Sequence, residues 1–480
     1  MPSQVSPSAA RLTLLIGSLG FIAACNADRA QPTEARLLPS SAAGDLVAAR
    51  DPGDEPEGRD LQRIKHFVVI YLENHSFDNL YGQFPGANGL SSPNANIKQV
   101  DGTGTPFATL PTPPGGAFPS NLPNAPFSIE QFVAVDKNIP DLVHRYYQEQ
   151  MQIDNGKMDK FALVSDAKGL TMGYYHTANL PLAAEAAQYT LCDNFFHAAF
   201  GGSFLNHIWL IAAASPVFPN APASVVAQLD GAGNLIRDGF VTPDGYAVNT
   251  SFSVNRPHPS TVPAAQLVPN QTMPTIGDRL SDKHISWAWY SGGYDDALAG
   301  HAGPLFQFHH QPFIYFAKYA DGTAAKAEHL KDETEFVKAV KNHKLPAVSF
   351  IKPYGIDNEH PGYTDVLTGE MHTDSLIQLV RSSPYWKNTA IIITYDEHGG
   401  FWDHVAPPVV DRWGPGSRVP TLVISPFAKR GYVDHHRYDT TSILALLEHR
   451  YGLRPLSTRD ANADDMRNAF DFSEEGGSGR

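Results

Sequence analysis

The stretch HFVVIYLENHSFDNLYG, residues 66–82, decides the fold. From Phe67 to Leu72 it is an unbroken apolar and aromatic run. A strand covered on one face alternates with polar residues; a strand covered on both faces does not. This run stops on Glu73 and Asn74, two oxygen donors. A second stretch, AIIITYDEHGGFWDHV at 390–405, repeats the pattern and stops on Asp396 and Glu397. Further strand candidates are 285–290, 346–351 and 419–425, and helical patterns fall at 141–151, 203–214, 372–382 and 440–450. Strands alternating with helices specify an α/β fold, a doubly wound, mainly parallel sheet with helices on both faces. Stretches rich in Pro, Asn, Ser and Gly at 90–128 and 215–275 read as long loop or cap insertions above that sheet.

In open α/β sheets, ligands sit beyond the carboxyl ends of the strands. Glu73, Asn74, Asp396 and Glu397 all follow strand candidates at that end, where four oxygen donors could converge on one hard or borderline divalent cation. The segment GGSFLNHIWL places Ser203 behind two glycines and ahead of an amphipathic helix pattern. At the N-cap or first turn, free amides and the helix dipole favour an anion, although a serine there is also an ordinary helix cap. The glycine pair lets another backbone or a ligand come close. Of the 20 histidines, His144, His309, His310, His360, His398 and His404 lie in polar or Pro- and Gly-flanked segments, a set suited to handling protons and oxyanions.

Six segments in order, ENHSFDNLYG, HRYYQEQMQIDNGKMDKF, GGSFLNHIWL, HHQPF, NEHPGY and TYDEHGGFWDHV, resemble the bacterial phosphoesterase family over about residues 62–455. That family contains secreted acid phosphatases and phosphatidylcholine-cleaving phospholipases C, within the alkaline-phosphatase-like superfamily. The resemblance implies an alkaline-phosphatase-like core and one divalent metal ion on Glu73, Asn74, Ser203, Asp396 and Glu397. It implies Ser203 as nucleophile through a phosphoserine, with His144, His309, His310 and His360 around the phosphoryl group. His360 is the first choice to protonate the leaving group and His144 the second. A protonated His309–His310 pair would bind phosphoryl oxygens and favour activity at acidic pH. His398 reads as a neighbour of the metal motif, and Asp403 and His404 as residues that hold loop shape.

The QEQMQIDNGKMDKF and HHQPF segments look closer to the acid phosphatase branch, so hydrolysis of small phosphomonoesters is the first expectation and phospholipase C the second. A non-catalytic, surface-anchored phosphate-binding protein is the third. Neither a sulfatase-type Cys-x-Pro-x-Arg segment nor a Gly-x-Ser-x-Gly elbow surrounds Ser203. A net charge of −14 without a basic face excludes a nucleic-acid footprint, and an anionic substrate must be held by local charges.

Residues 12–25, LTLLIGSLGFIAAC, have the length of a signal-peptide core and end in a lipoprotein-like box with Cys25 as the lipidated residue. The expected organisation is a signal at 1–25, a tether at 26–60, a catalytic domain at 61–455 and a polar, frayed tail at 456–480. The protein is then exported, to the periplasm, the outer membrane or the medium, and Cys192 is left without a disulfide partner.

Overall fold

The computed structural model describes residues 60–473. Eight strands build one sheet: β1 (His66–Leu72), β2 (Thr190–Cys192), β3 (Trp287–Ser291), β4 (Leu330–Asp332), β5 (Val348–Lys352), β6 (Thr389–Tyr395), β7 (Thr421–Ile424) and β8 (Tyr432–Asp434). Their spatial order is β8-β2-β7-β6-β1-β5-β3-β4. Only β7 runs antiparallel to its neighbours β6 and β2; the other pairings are parallel. The helices that matter here are α1 (Tyr146–Ile153), α2 (Pro181–Gln188), α3 (Ser203–Ala212), α4 (Glu333–Lys341), α5 (Val366–Arg381) and α6 (Thr440–Tyr451).

Register shows that both faces are covered. Tyr71 of β1 lies opposite Thr394 of β6, and Leu72 opposite Tyr395. Successive side chains point to opposite faces, so Tyr71 and Tyr395 look in opposite directions. Tyr71 donates to the Asn206 carbonyl of α3 at 3.3 Å, and α3 packs on α6. On the other face α5 packs on α2 and α4. This is the doubly wound, mainly parallel sheet that the uninterrupted apolar runs require. All ten residues of α3 are buried, so its polar side chains are bonded internally: Asn206 Nδ2 donates to the Ala199 carbonyl at 2.9 Å and His207 Nδ1 to the Ser203 carbonyl at 2.7 Å.

Three features differ from the sequence expectation. Strands β2, β4 and β8 have three residues each, too short to show a period. Helix α5 starts at Val366, six residues ahead of the expected 372, because the Asp365 side chain accepts from Thr368 N and caps it. Residues 456–473, expected as a frayed tail, pack on the body. Arg459 donates to Asp411 at 2.7 Å, to Asp439 at 3.2 Å and to the Ala198 carbonyl at 2.8 Å, and Phe470 bridges to Ala428. The leader, Cys25 and most of the tether lie outside the described residues. Among the described residues no helix is long and apolar enough to cross a membrane. Cys192 is a buried free cysteine.

Glu448 lies buried on α6, and burial together with Asp460 pushes its carboxyl up to about 9. The unfolded chain loses that proton near the ordinary glutamate value of about 4.3. Between the two values the folded state holds the extra proton, so stability falls as pH rises through this window. Melting curves of Glu448→Gln and wild type should therefore coincide at acidic pH and separate towards alkaline pH, the variant melting higher. Parallel curves throughout would contradict the assignment.

Candidate active site

The carboxyl ends of β1, β5 and β6 meet. The β1–β6 ladder continues one residue past the strands, where Asp396 N donates to the Leu72 carbonyl at 3.0 Å, while Glu73 N donates to the Asn358 carbonyl of the loop after β5 at 3.0 Å. Asn74 then turns with φ 71°, a left-handed conformation that asparagine tolerates better than most residues. Its amide becomes the hub of the site. Asn74 N donates to Asp396 Oδ1 at 3.3 Å, and Asn74 Oδ1 accepts from Ser203 Oγ at 3.4 Å. Nδ2 donates to His360 Nε2 at 3.1 Å and His144 Nε2 at 3.3 Å. The other nitrogen of each ring, Nδ1, faces a carbonyl at 2.5 Å, Pro361 for His360 and Leu142 for His144. Carbonyls only accept, so each Nδ1 carries a hydrogen and each Nε2 turns its lone pair to the site.

Ser203 does not cap its helix. The N-cap of α3 is Gly202, Ser203 is the first helical residue, and its hydroxyl turns to Asn74. The glycine pair admits another backbone: a Cβ on Gly202 would lie 2.7 Å from the His144 carbonyl, and one on Gly201, at φ 91°, 2.5 Å from Tyr146 N. The same packing brings His144 to the serine.

The acidic residues are deeply buried. Glu73, Asp396 and Glu397 are each 0 % exposed. Both oxygens of Glu73, Asp396 Oδ2 and Glu397 Oε1 lack a hydrogen-bond donor of sound geometry. Lys352, the last residue of β5, reaches Glu73 Oε1 at 2.7 Å and Asp396 Oδ2 at 3.9 Å. Burial alone would raise Glu73, but His310, in contact with Oε1, and Lys352 outweigh it and hold it well below the usual range. Burial, reinforced by Glu73, lifts Asp396 to about 6, and burial beside Asp396 lifts Glu397 further. Three buried carboxyls against one ammonium, with oxygens left over, form a donor set that fits a hard divalent cation, which would displace protons from the raised pair.

His309 and His310 lie beside Glu73. Burial depresses both, His310 to about 4, so they face the site as neutral rings.

Three residues went unnoticed in the sequence. Lys352 ends an apolar strand just as Glu73 and Asp396 follow theirs, so the strand-end rule applied to VSFIK would have found it. His207 lies four residues after Ser203, stacks on His310 with ring centres 5.2 Å apart, and comes within 3.7 Å of Asp396. Glu149 carried no local signal. It is buried on α1, where Oε2 accepts from Gly201 N at 2.6 Å, and Oε1 accepts from His197 at 2.9 Å and Ser417 N at 2.9 Å. It thus fastens the loop that delivers Ser203. His398 stacks on His197 in this knot, 3.6 Å from Glu149. Asp403 and His404 hold loop shape: with Asp78 and Arg418 they form a buried ionic cluster in which Arg418 Nε donates to Asp403 at 2.8 Å and His404 Nδ1 to Asp78 at 2.6 Å.

Gly399 has φ 62°, and a Cβ there would lie 2.0 Å from the Asn74 carbonyl. Gly399→Ala must displace the hub. It is expected to lower kcat by about 100-fold, since a 1 Å misplacement can cost that much. Full activity in the purified variant would show that Asn74 need not hold this position.

The cluster opens into a cavity of ≈ 380 Å³ whose floor includes Glu73, Ser203 and His309, and whose rim is largely polar, with Asp141, Arg145 and Asp166. Phospholipase C B of Mycobacterium tuberculosis is 24% identical over 454 residues, 86% of this chain and 78% of its own. The non-hemolytic phospholipase C of Pseudomonas aeruginosa is 25% identical over 488 residues, 91% of this chain and 61% of its own. Among solved structures, an alkaline phosphatase superfamily protein from Vibrio parahaemolyticus overlays with TM-score 0.34 at 11% identity, covering 62% of this chain and 65% of its own. The Phosphoesterase family model matches residues 64–454, the whole region that builds the sheet and its strand-end cluster. The chain therefore belongs to the phosphoesterase family, and it is a phosphoric ester hydrolase.

Proposed function

We propose that the chain is a phosphomonoesterase of the acid phosphatase branch, working through a phosphoserine on Ser203 and one divalent cation held by Glu73, Asn74, Ser203, Asp396 and Glu397. The observation that carries this reading is the position of Ser203 Oγ. It opens a buried helix 3.4 Å from the Asn74 amide oxygen, beside carboxylate oxygens that lack donors. The cation, when bound, neutralises phosphoryl oxygens and lowers the pKa of the serine hydroxyl.

The side chains do the rest. Ser203 Oγ attacks phosphorus as the bond to the leaving oxygen breaks; the lone pair on His360 Nε2, beside the Asn74 amide, takes the serine proton and hands it to that oxygen. His144 Nε2 sits on the same amide and is the second carrier. In the second half the same Nε2 takes a proton from a water whose oxygen bonds phosphorus, and hands it to Oγ as the Oγ–P bond breaks. Neutral His309 and His310 and the ammonium of Lys352 supply donors around the phosphoryl group. The polar rim suits a small polar leaving group better than a diacylglycerol.

Phospholipase C is the second reading, favoured by the names of the relatives above. One panel separates them: p-nitrophenyl phosphate against p-nitrophenyl phosphorylcholine, from acid to neutral pH, with and without chelator. Monoester turnover that prevails at acidic pH and is lost to chelator is expected. Dominant diester cleavage transfers the assignment to phospholipase C. Tight phosphate binding without turnover of either substrate points to the binding protein. Export rests on the leader sequence, and the N-terminal mass of the mature protein tests it: a lipidated Cys25 is expected.

A further inference from the structure

One buried carboxylate ties together the segments that carry the reacting groups. Glu149 lies in the first turn of α1, whose N-cap, Arg145, directly follows His144. It is 0 % exposed. Its Oε2 accepts from Gly201 N at 2.6 Å, and its Oε1 accepts from His197 Nε2 at 2.9 Å and from Ser417 N and Oγ at 2.9 and 3.1 Å. His398 Nε2 lies 3.6 Å from a Glu149 oxygen, and its ring lies parallel to that of His197 within 5°, centres 5.5 Å apart. His197 and Gly201 belong to the loop that leads to Ser203, and His398 directly follows Glu397. From the helix that follows His144, Glu149 thus meets both the nucleophile's loop and the turn of Glu397. Gly416 closes the cluster: a Cβ there would lie 2.3 Å from His197 Nε2 and 2.6 Å from Glu149 Oε1, so a larger residue would pry the pair apart.

The pairing is ionic. Burial alone would raise Glu149, but the histidines beside it, His197 first, outweigh burial and hold it at about 2. The carboxyl is therefore ionised and only accepts. His197 Nδ1 faces the Ala199 carbonyl at 2.8 Å, which also only accepts, so both ring nitrogens carry hydrogen and the imidazolium balances the carboxylate. Charge-assisted bonds of this kind are about twice as strong as neutral ones. Ser203 needs support from outside its own contacts. Its hydroxyl bonds Asn74 at 3.4 Å, too long to hold Oγ in place by itself. Asn206 Nδ2 grips the Ala199, Gly201 and Gly202 carbonyls at 2.9, 3.2 and 3.3 Å, but Asn206 rides on α3 together with Ser203. Glu149 fastens the same loop to segments beyond α3. It does not line the cavity, so it acts through Ser203 and not on a substrate.

We propose that Glu149, charged and paired with His197, is the positioning residue that sets Ser203 against the Glu397 turn. The proposal rests on the reading of Ser203 as nucleophile and adds to it the group that keeps Oγ aligned for attack. A neutral side chain of the same shape keeps the packing but gives up the ionic hold on the Gly201 amide, and the loop relaxes. A displacement of about 1 Å at the attacking atom costs roughly 100-fold in rate.

The test uses the full chain and p-nitrophenyl phosphate, or p-nitrophenyl phosphorylcholine if wild type turns that over faster. Glu149→Gln is expected to lower kcat by about 100-fold with KM within about threefold of wild type, and to slow phosphoserine formation in a single turnover by the same factor. Ile377→Ala, a buried change on α5 across the sheet, serves as the stability control: it should lower the melting temperature and leave kcat unchanged below both melts. His197→Gln, which keeps a donor for Glu149 but no charge, should lower kcat by about tenfold, and it decides alone should Glu149→Gln fail to fold. The proposal falls if kcat in the folded variants stays within about threefold of wild type, or if Ile377→Ala loses as much. The nucleophile reading is judged apart from it: activity retained in Ser203→Ala overturns that reading, whereas label on Ser203 with undiminished Glu149→Gln overturns the positioning role alone.

Discussion

Ser203→Ala is expected to lower kcat by roughly 10⁴–10⁶-fold while leaving the fold intact, because removal of a nucleophile deletes the reaction path rather than one contact along it. The side chain contributes little to stability. Its hydroxyl makes one long hydrogen bond, 3.4 Å to Asn74, and the helix is capped by Gly202. Melting should shift by little more than the fraction of a kcal/mol that a weak hydrogen bond contributes. The chemical signature is specific: wild type quenched in acid during turnover of a ³²P-labelled monoester should carry label on Ser203, and the variant none. An alanine variant within tenfold of wild type, or label on another residue, would remove Ser203 from its role.

Lys352→Met is expected to destabilise the chelator-treated protein by about 3–5 kcal/mol, the usual cost of removing one partner from a buried ion pair. The ammonium is 0 % exposed, 2.7 Å from Glu73 and 3.9 Å from Asp396, and lies over the Tyr71 ring at 5.5 Å. Methionine matches its length and leaves the packing intact, so the loss isolates the charge. For a domain of this size the melting temperature should fall by about 3–6 °C. Glu73→Gln in the same background should recover part of the loss, since it removes the charge left uncompensated. If Lys352→Met melts within about 1 °C of wild type, the three carboxyls are neutralised by protons and not by this lysine.

Much of this molecule could be read locally. The runs at 66–72 and 389–395 announce strands covered on both sides, because a residue's burial on both faces writes itself into every position of its own segment. Each run is followed directly by a pair that the fold gathers at the candidate site, so the meeting of Glu73, Asn74, Asp396 and Glu397 was legible from the rule that ligands sit beyond strand ends. Ser203 was legible for the same reason at a helix start, and the glycines before it announced a close approach without saying of what.

What the tertiary structure decided is everything that depends on which segments become neighbours. Strands of three residues, such as Leu330–Asp332, are defined by hydrogen bonds to partners far along the chain and leave no period behind. Lys352 and Glu149 are single residues whose roles come from the carboxylates and amides they reach. That burial lowers the pKa of His309 and His310 was not legible, because a sequence shows which groups can ionise but not how much water they keep. Burial sets that, and burial belongs to the assembled fold. Composition and local pattern thus determined the sheet, its orientation and the chemical class of the residues at its edge. Long-range packing fixed their charges, their distances and the protons they carry, because those quantities are properties of pairs and not of single residues.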